Sequence, residues 1–540
     1  MKKLCLISLI LLFATSLILG SCAEPEPEPA PAPSPAPKPA PSPAPAPTPA
    51  PAPGEPVRGG IMKYIGADFP RNLGYTPEHG PGDDMLAIIE RLCQWDAKGN
   101  LVGVLAESWE GDPQALTITW HLRKGVKFHD GTDWNTEALR WNFQLLLDNK
   151  RLTDGQYIKS LEVVDTYTLK MHLTEYRWLM FRNYGGAIMI SPTAFEKAGG
   201  GDIEKSKEWA RQNPVGTGAF KYDDYLRDSY YKIAKNENYW REGKPYLDGI
   251  ELRFIPDPMV AAATMEAQEA DIWVAVSAVQ NIIDLQEKGF KINASPGMFN
   301  AILFNSSDPE SPFANKKVRE AVEYAIDRPT VAQMLGQGWY EPLHQMSTST
   351  SPSYIPGYDP RPFNPEKARQ LLEEAGYKDG FKTTLLALDF AQDAVAAIQS
   401  YLGDVGITVE PDICDLGRFF GTVFGTGWND MVYSPSGIDP DATELFAHFG
   451  PNPLTYRTGN IYKSPEFLAL CTEALDPKYK NALEAMDKIK AAIKQGGEDA
   501  MIVPLWTTCS VAIMQPYVHS DYQTVHSSIW TPCNDWKEKP

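Results

Sequence analysis

From Leu116 to Leu122 apolar and polar side chains alternate, with Ile118, Trp120 and Leu122 on one side of the chain. A period of two predicts a half-buried strand. Residues 168–173 repeat the pattern, so His121 and His172 fall on polar faces, where solvent exposure is expected ahead of metal ligation. Residues 364–375 follow a helical period instead. Asn364 suits the N-cap, Pro365 the first helical position and Glu366 the first turn. Ala368, Leu371, Leu372 and Ala375 form the apolar stripe, and Gly376 ends it. A turn at Lys378-Asp379-Gly380 leads into an expected strand over 381–388. Further helices are expected over 318–326, burying Val318, Ala321, Val322 and Ala325, and over about 480–494. Helices alternating with short strands, without an internal repeat, indicate an α/β architecture.

The amino-terminal pattern differs. Lys2 and Lys3 precede an apolar run over 4–19, and Gly20, Ser21 and Cys22 follow. That order predicts a secretory signal peptide over 1–21. The run is short for a membrane span of ~20 residues, and no stop-transfer charges follow it. Leu19-Gly20-Ser21-Cys22 resembles a bacterial lipobox. The resemblance implies acylation of Cys22, a mature chain starting there, and anchorage on the outer side of a membrane. Residues 25–56 hold 16 of the 46 prolines, mostly as Ala-Pro repeats. Such a segment is extended polyproline II, reaching on the order of 90 Å at ~3.1 Å per residue. Directly behind an anchor, residues 22–57 read as a stiff spacer rather than as a recognition motif. No other hydrophobic run approaches a span.

Composition then concerns the remainder. At 43% hydrophobic and 11% aromatic the chain can bury several cores. A formal charge of −19 repels phosphates and anionic headgroups, and no Lys/Arg-rich run offsets it, so no contact with nucleic acid is expected. Beyond the leader stand Cys93, Cys414, Cys471, Cys509 and Cys533, with no CxxC pair to suggest a zinc ribbon or thioredoxin motif. Their odd number leaves at least one unpaired within the chain; Cys509 and Cys533 could bridge.

Motifs for catalysis are absent: no GxSxG, HExxH, GxxxxGK[ST] or GxGxxG occurs. Gly216-Thr217-Gly218 is too short for a dinucleotide loop. His129-Asp130-Gly131-Thr132-Asp133 reads as an Asp-Gly turn rather than a metal site. Asp439-Pro440-Asp441 with Glu444 lacks the central glycine and spacing of a calcium loop. The eight histidines are dispersed. No catalytic residue, metal or cofactor is expected, although 69 acids leave many carboxylate pairs that no pattern selects for glycoside hydrolysis.

A set of phrases carries a resemblance. They are Ala106-Glu107-Ser108-Trp109; His121–Thr132 (HLRKGVKFHDGT); Asn213–Gly218 (NPVGTG); Asn238-Tyr239-Trp240 with Gly243–Asp248 (GKPYLD); Val318–Arg328, ending YAIDR; and Asn364–Tyr377. In this order they resemble the bacterial extracellular solute-binding proteins of family 5, the oligopeptide/dipeptide-type receptors of ABC transporters. The resemblance implies a two-lobed, type II periplasmic-binding-protein-like clamp of α/β class. It places a first lobe over 58–300, with an inserted subdomain around 81–205. A second lobe follows over 301–503, with a return to the first over 504–540. Crossings between lobes are expected near Phe299–Asn305 and Met501–Trp506. The implied activity is capture of a peptide or other small solute between the lobes, for delivery to a membrane permease driven by a separate ATPase, by a monomer that breaks no bond. A lipid-anchored hydrolase and a binding-only chemosensory receptor are the competing readings.

Peptide-binding members resemble one another in a carboxylate that pairs the ligand's α-ammonium shortly before an acidic-Pro dipeptide. Counting back from Pro440, that position here is Ser436, which cannot neutralise an ammonium. Unless the loop slips and Asp439 or Asp430 serves, an ordinary free-amino peptide is disfavoured. The resemblance places Trp428, Tyr433, Ser436, Asp439 and Trp506 near the cleft as the expected ligand contacts, with Trp120 and Trp240 expected in the core.

Overall fold

The computed structural model describes residues 55–66, 72–78, 83–96, 100–437, 443–453, 456, 458–522 and 530–538. The leader, Cys22, nearly all of the proline-rich spacer and Asp439 lie outside the described residues.

The strands of the main sheet, numbered in chain order, are β1 (Ile61–Gly66), β2 (Phe220–Leu226), β3 (Tyr230–Lys235), β4 (Gly249–Phe254), β5 (Ile272–Val276), β6 (Lys291–Phe304), β7 (Phe381–Leu388), β8 (Ile407–Cys414), β9 (Met431–Ser436) and β10 (Ile502–Met514). They run across the sheet as β8-β7-β9-β6-β10-β5-β1-β4-β3-β2, and Glu341–Pro342 pairs with β10. The long strands β6 and β10 form an antiparallel pair in the middle of the sheet. Lys291–Pro296 face Met514–Cys509, and Phe299–Leu303 face Thr507–Ile502, with register shifts at 296/299 and 300/301. One end of β10 joins β5, and one end of β6 joins β9. The two strands therefore belong to both halves of the sheet.

Each half has its own apolar packing. Tyr64, Ile250 and Phe220 are buried in one, and Phe304, Val322, Ile398 and Trp506 in the other. A separate four-stranded antiparallel sheet, ordered Ala106–Asp112, Thr117–Leu122, Thr168–Leu173, Ile158–Asp165, carries a core around Trp120, Phe143 and Met171. Thr168–Leu173 alternates as the sequence predicts, whereas in Thr117–Leu122 the threonines Thr117 and Thr119 are buried along with Ile118 and Trp120; His121 and His172 lie on the outer face beside Glu110 and Glu162.

The helix Pro365–Glu374 starts where Asn364 accepts the Lys367 N–H at 2.9 Å, and buries Ala368, Leu371 and Leu372. The helix expected over 480–494 is displaced to Met486–Glu498. Asn481 accepts the Glu484 N–H and Glu484 accepts the Lys480 N–H. These side-chain bonds cap a turn over 482–485 that precedes the helix. Cys93, Cys414, Cys471, Cys509 and Cys533 are all free, so the bridge considered for Cys509 and Cys533 is not formed. Among the described residues no helix is long and apolar enough to cross a membrane.

Candidate functional site

Strand directions locate a cleft. β1 runs parallel to β4 and β5, and β5 antiparallel to β10. β10 is antiparallel to β6, so β6 shares the direction of β1. β9 is antiparallel to β6 and parallel to β7, which is parallel to β8. β6 travels from the first half of the sheet to the second. The parallel strands of each half therefore point towards the other half, carboxyl ends facing. The crevice outside such strand ends is the usual ligand position of α/β sheets.

At that place lies an open pocket with about 440 Å³ of empty space, the solvent at its mouth included. Phe299 of β6 and Gly437, the residue after β9, contribute to it. The loop 346–353 supplies Met346 and four hydroxyls, and the helix Glu444–Phe449 supplies Glu444, Leu445, His448 and Phe449. Apolar walls with a few fixed polar groups are the chemistry of small-molecule sites. The hydroxyls are ordered among themselves: Ser353 Oγ lies 2.7 Å from Ser347 Oγ and 2.9 Å from Ser351 Oγ. Behind Phe449 the aromatic wall continues through Tyr456, stacked at 5.4 Å, and Phe424 at 6.0 Å to the half-exposed Phe420, stacked on Phe424 at 5.2 Å. Tyr456 shares a 2.8 Å hydrogen bond with Ser434, and burial raises its hydroxyl pKa.

The residues singled out from sequence divide. Tyr433 and Trp506 come together, ring centroids 6.1 Å apart, but both are enclosed in the second core at 4% and 1% exposure. The Tyr433 hydroxyl, its pKa raised by burial, donates to Asn300 Oδ1 at 2.7 Å. Asn300 Nδ2 in turn donates to the Trp506 carbonyl at 3.3 Å and the Met298 carbonyl at 2.8 Å. This buried node ties β9, β6 and β10 at the crossing, and only the structure reveals it. Trp428 packs in the core that contains Phe299, Leu445 and Phe449; its indole N–H is buried and finds no hydrogen-bond partner among the described residues. Ser436 ends β9 beside Gly437, its hydroxyl 3.5 Å from the Phe299 carbonyl. Asp430 sits at the opposite end of the same strand, where it accepts the Thr384 N–H and hydroxyl. About 20 Å of strand separates it from the cleft end, so it is no substitute for a carboxylate at Ser436.

Elsewhere, His129–Asp133 is a turn, as expected: Asp130 accepts the Thr132 N–H and hydroxyl. No cluster of three or more metal-ligating side chains occurs among the described residues. Glu90 is a buried carboxylate in the first half of the sheet, accepting Thr217, Tyr239 and Trp240; burial raises its pKa against those donors.

A cleft between facing strand ends, spanned by two continuous strands, defines a two-lobed binding protein. The profile of the bacterial extracellular solute-binding proteins, family 5 (middle region), matches residues 100–451. The chain is 32% identical over 418 residues to the glutathione-binding protein GsiB of Shigella flexneri, covering 74% of this chain and 80% of that protein. The same figures hold for GsiB of Escherichia coli K12. The fold superposes on DppA of Helicobacter pylori in complex with the peptide STSA, with TM-score 0.75, 23% identity, and 89% and 99% of the two chains covered. It also superposes on AppA of Bacillus subtilis in complex with a nonapeptide, with TM-score 0.74, 22% identity, and 90% and 100% covered. The chain belongs to family 5 of the bacterial extracellular solute-binding proteins, and its fold is that of the type II periplasmic binding proteins.

Proposed function

We propose that this protein is the extracytoplasmic receptor of an ABC importer, held to a membrane through Cys22 and delivering a captured peptide or peptide-like solute to a permease. The observation that carries the reading is the cavity between Phe299, Met346, Gly437 and Phe449, set at the carboxyl end of β9. In this reading 58–300 and 504–540 form the first lobe, with the subdomain around 81–205 inserted, and 301–503 the second. Ligand touching both lobes favours the closed arrangement by its differential affinity. The proline-rich segment is the spacer, and the receptor acts as a monomer. The relatives named for glutathione and peptide binding support a peptide-like ligand, and Ser436 in place of a carboxylate shapes which one.

Titration calorimetry on residues 57–540 with reduced glutathione, trialanine and N-acetyl-trialanine tests both parts. At least one peptide is expected to bind, and N-acetylation is expected to cost little, because no carboxylate stands at Ser436 to lose its partner. Binding abolished by acetylation overturns the Ser436 argument. Three flat titrations overturn the peptide reading.

A further inference from the structure

The helix Leu179–Gly185 begins six residues after the end of the strand Thr168–Leu173, yet it does not belong wholly to that sheet's core. Met180 and Tyr184 are buried there, beside Trp120 and Phe143. Trp178 and Leu179, at 4% and 9% exposure, are instead packed in the core that otherwise runs from Phe299 to Ile502. The Trp178 indole N–H donates to the Ala474 carbonyl at 2.9 Å, 296 residues along the chain. Its ring meets Phe446 edge-on, centroids 6.4 Å apart. One turn on, Arg182 Nη2 lies 3.7 Å from Glu444 Oε1. Asn452 reaches back to the Tyr157 hydroxyl at 3.4 Å.

All of these contacts bridge the inserted sheet and the second lobe. Two of them, at Phe446 and Glu444, fall on the helix Glu444–Phe449, which also walls the cavity: Glu444, Leu445, His448 and Phe449 line it, while Phe446 takes the tryptophan. We infer that Trp178, with Arg182, is a latch that holds the lobes closed, and that the Glu444–Phe449 helix couples it to occupancy of the cavity. The inference rests on the clamp reading above and adds a second closing contact to it, one made by protein alone. A swing of the lobes about β6 and β10 would withdraw Trp178 from its seat and expose an indole and a leucine to water, so opening is opposed even without ligand. Ligand packed on Leu445 and Phe449 steadies the helix that forms the seat, and the two contacts then support one another. Trp178 and Arg182 are positioning residues; neither is among the residues lining the cavity.

The test separates the latch from the identity of the ligand. Small-angle scattering of the ligand-free chain, residues 57–540, is compared for wild type, W178A, W178F and R182M. W178F keeps a ring against Phe446 and loses the hydrogen bond; R182M keeps the packing and loses the ion pair, so two variants leave the apolar seat filled. A larger radius of gyration is expected in each variant, greatest in W178A. For any peptide the wild type binds in calorimetry, the W178A dissociation constant rises on the order of tenfold if the closed state falls to about a tenth of the population. The rise is expected in the off-rate, and saturating peptide should restore the wild-type scattering. Ligand-free curves that superimpose on wild type for all three variants overturn the latch. A wild type that binds no peptide overturns the peptide reading and leaves the scattering to decide the latch.

Discussion

At the scale of single residues, buried polar groups decide most. Asn300 is 3% exposed and serves three elements, accepting from Tyr433 and donating to two carbonyls. Replacing it by alanine strands a buried hydroxyl and two carbonyls. N300A is expected to lose about 2–3 kcal/mol in urea unfolding, the cost of buried polar groups left without partners. Y433F removes only the donor and should cost less. Asp535 makes a pH argument. It is fully buried, and its Oδ2 accepts the Tyr64 hydroxyl at 2.6 Å and the Trp530 indole N–H at 2.9 Å. Burial, and then the neighbouring Asp521 charge, hold its pKa well above the usual carboxylate range. The folded state thus keeps a proton that the unfolded chain releases. The contribution to stability is full below the unfolded pKa and is lost as pH rises through the folded one. Urea midpoints should fall between about pH 5 and about pH 8, and D535N, which still accepts both donors, should flatten that fall. An unchanged slope in D535N would assign the dependence to other groups. None of this was readable in sequence. Tyr433 and Trp506 stood out as aromatics near a cleft, but composition does not tell which side of a strand meets ligand and which meets Asn300.

Elements were far more legible, because their signals are local. Asn364, Pro365, Ala368, Leu371 and Gly376 announce a helix within a dozen positions, and the bond from Lys367 N–H to Asn364 bears out the cap. N364A is expected to lower stability by ~1 kcal/mol, and N364D to retain it, as read by thermal unfolding. The helix at Met486–Glu498 shows where local reading fails. Asn481 accepts the Glu484 N–H as an N-cap would, yet the chain makes a turn over 482–485 before the helix begins. Trp178 gave no signal either. It precedes an ordinary apolar run, and its partner carbonyl at Ala474 lies so far along the chain that no pattern joins them. The cavity is hidden for the same reason: Phe299, the loop with Met346 and Ser353, and Phe449 come from three separated segments.

At the scale of the molecule, the fold was legible through the family phrases, while its mechanical consequence comes from strand continuity. β6 and β10 pair along most of their length and carry hydrogen bonds into both halves of one sheet. Neither lobe can unfold without releasing the strands that complete the other. The Asn300 node and Trp178 add further links at two separate places. Calorimetry of residues 57–540 should therefore show one cooperative transition, with calorimetric and van't Hoff enthalpies in a ratio near one, although at ~150 residues per domain the length suggests several units. Independent lobes would give a ratio of about two, or two resolved peaks. A bound peptide should move the single peak upward without splitting it, because a ligand seated between the lobes stabilises the unit they form together. In W178A the transition should stay single while its midpoint falls, since the crossing strands still join the lobes after the latch is gone. If W178A instead splits the transition, the latch, and not the shared sheet, is what makes the two lobes one cooperative body.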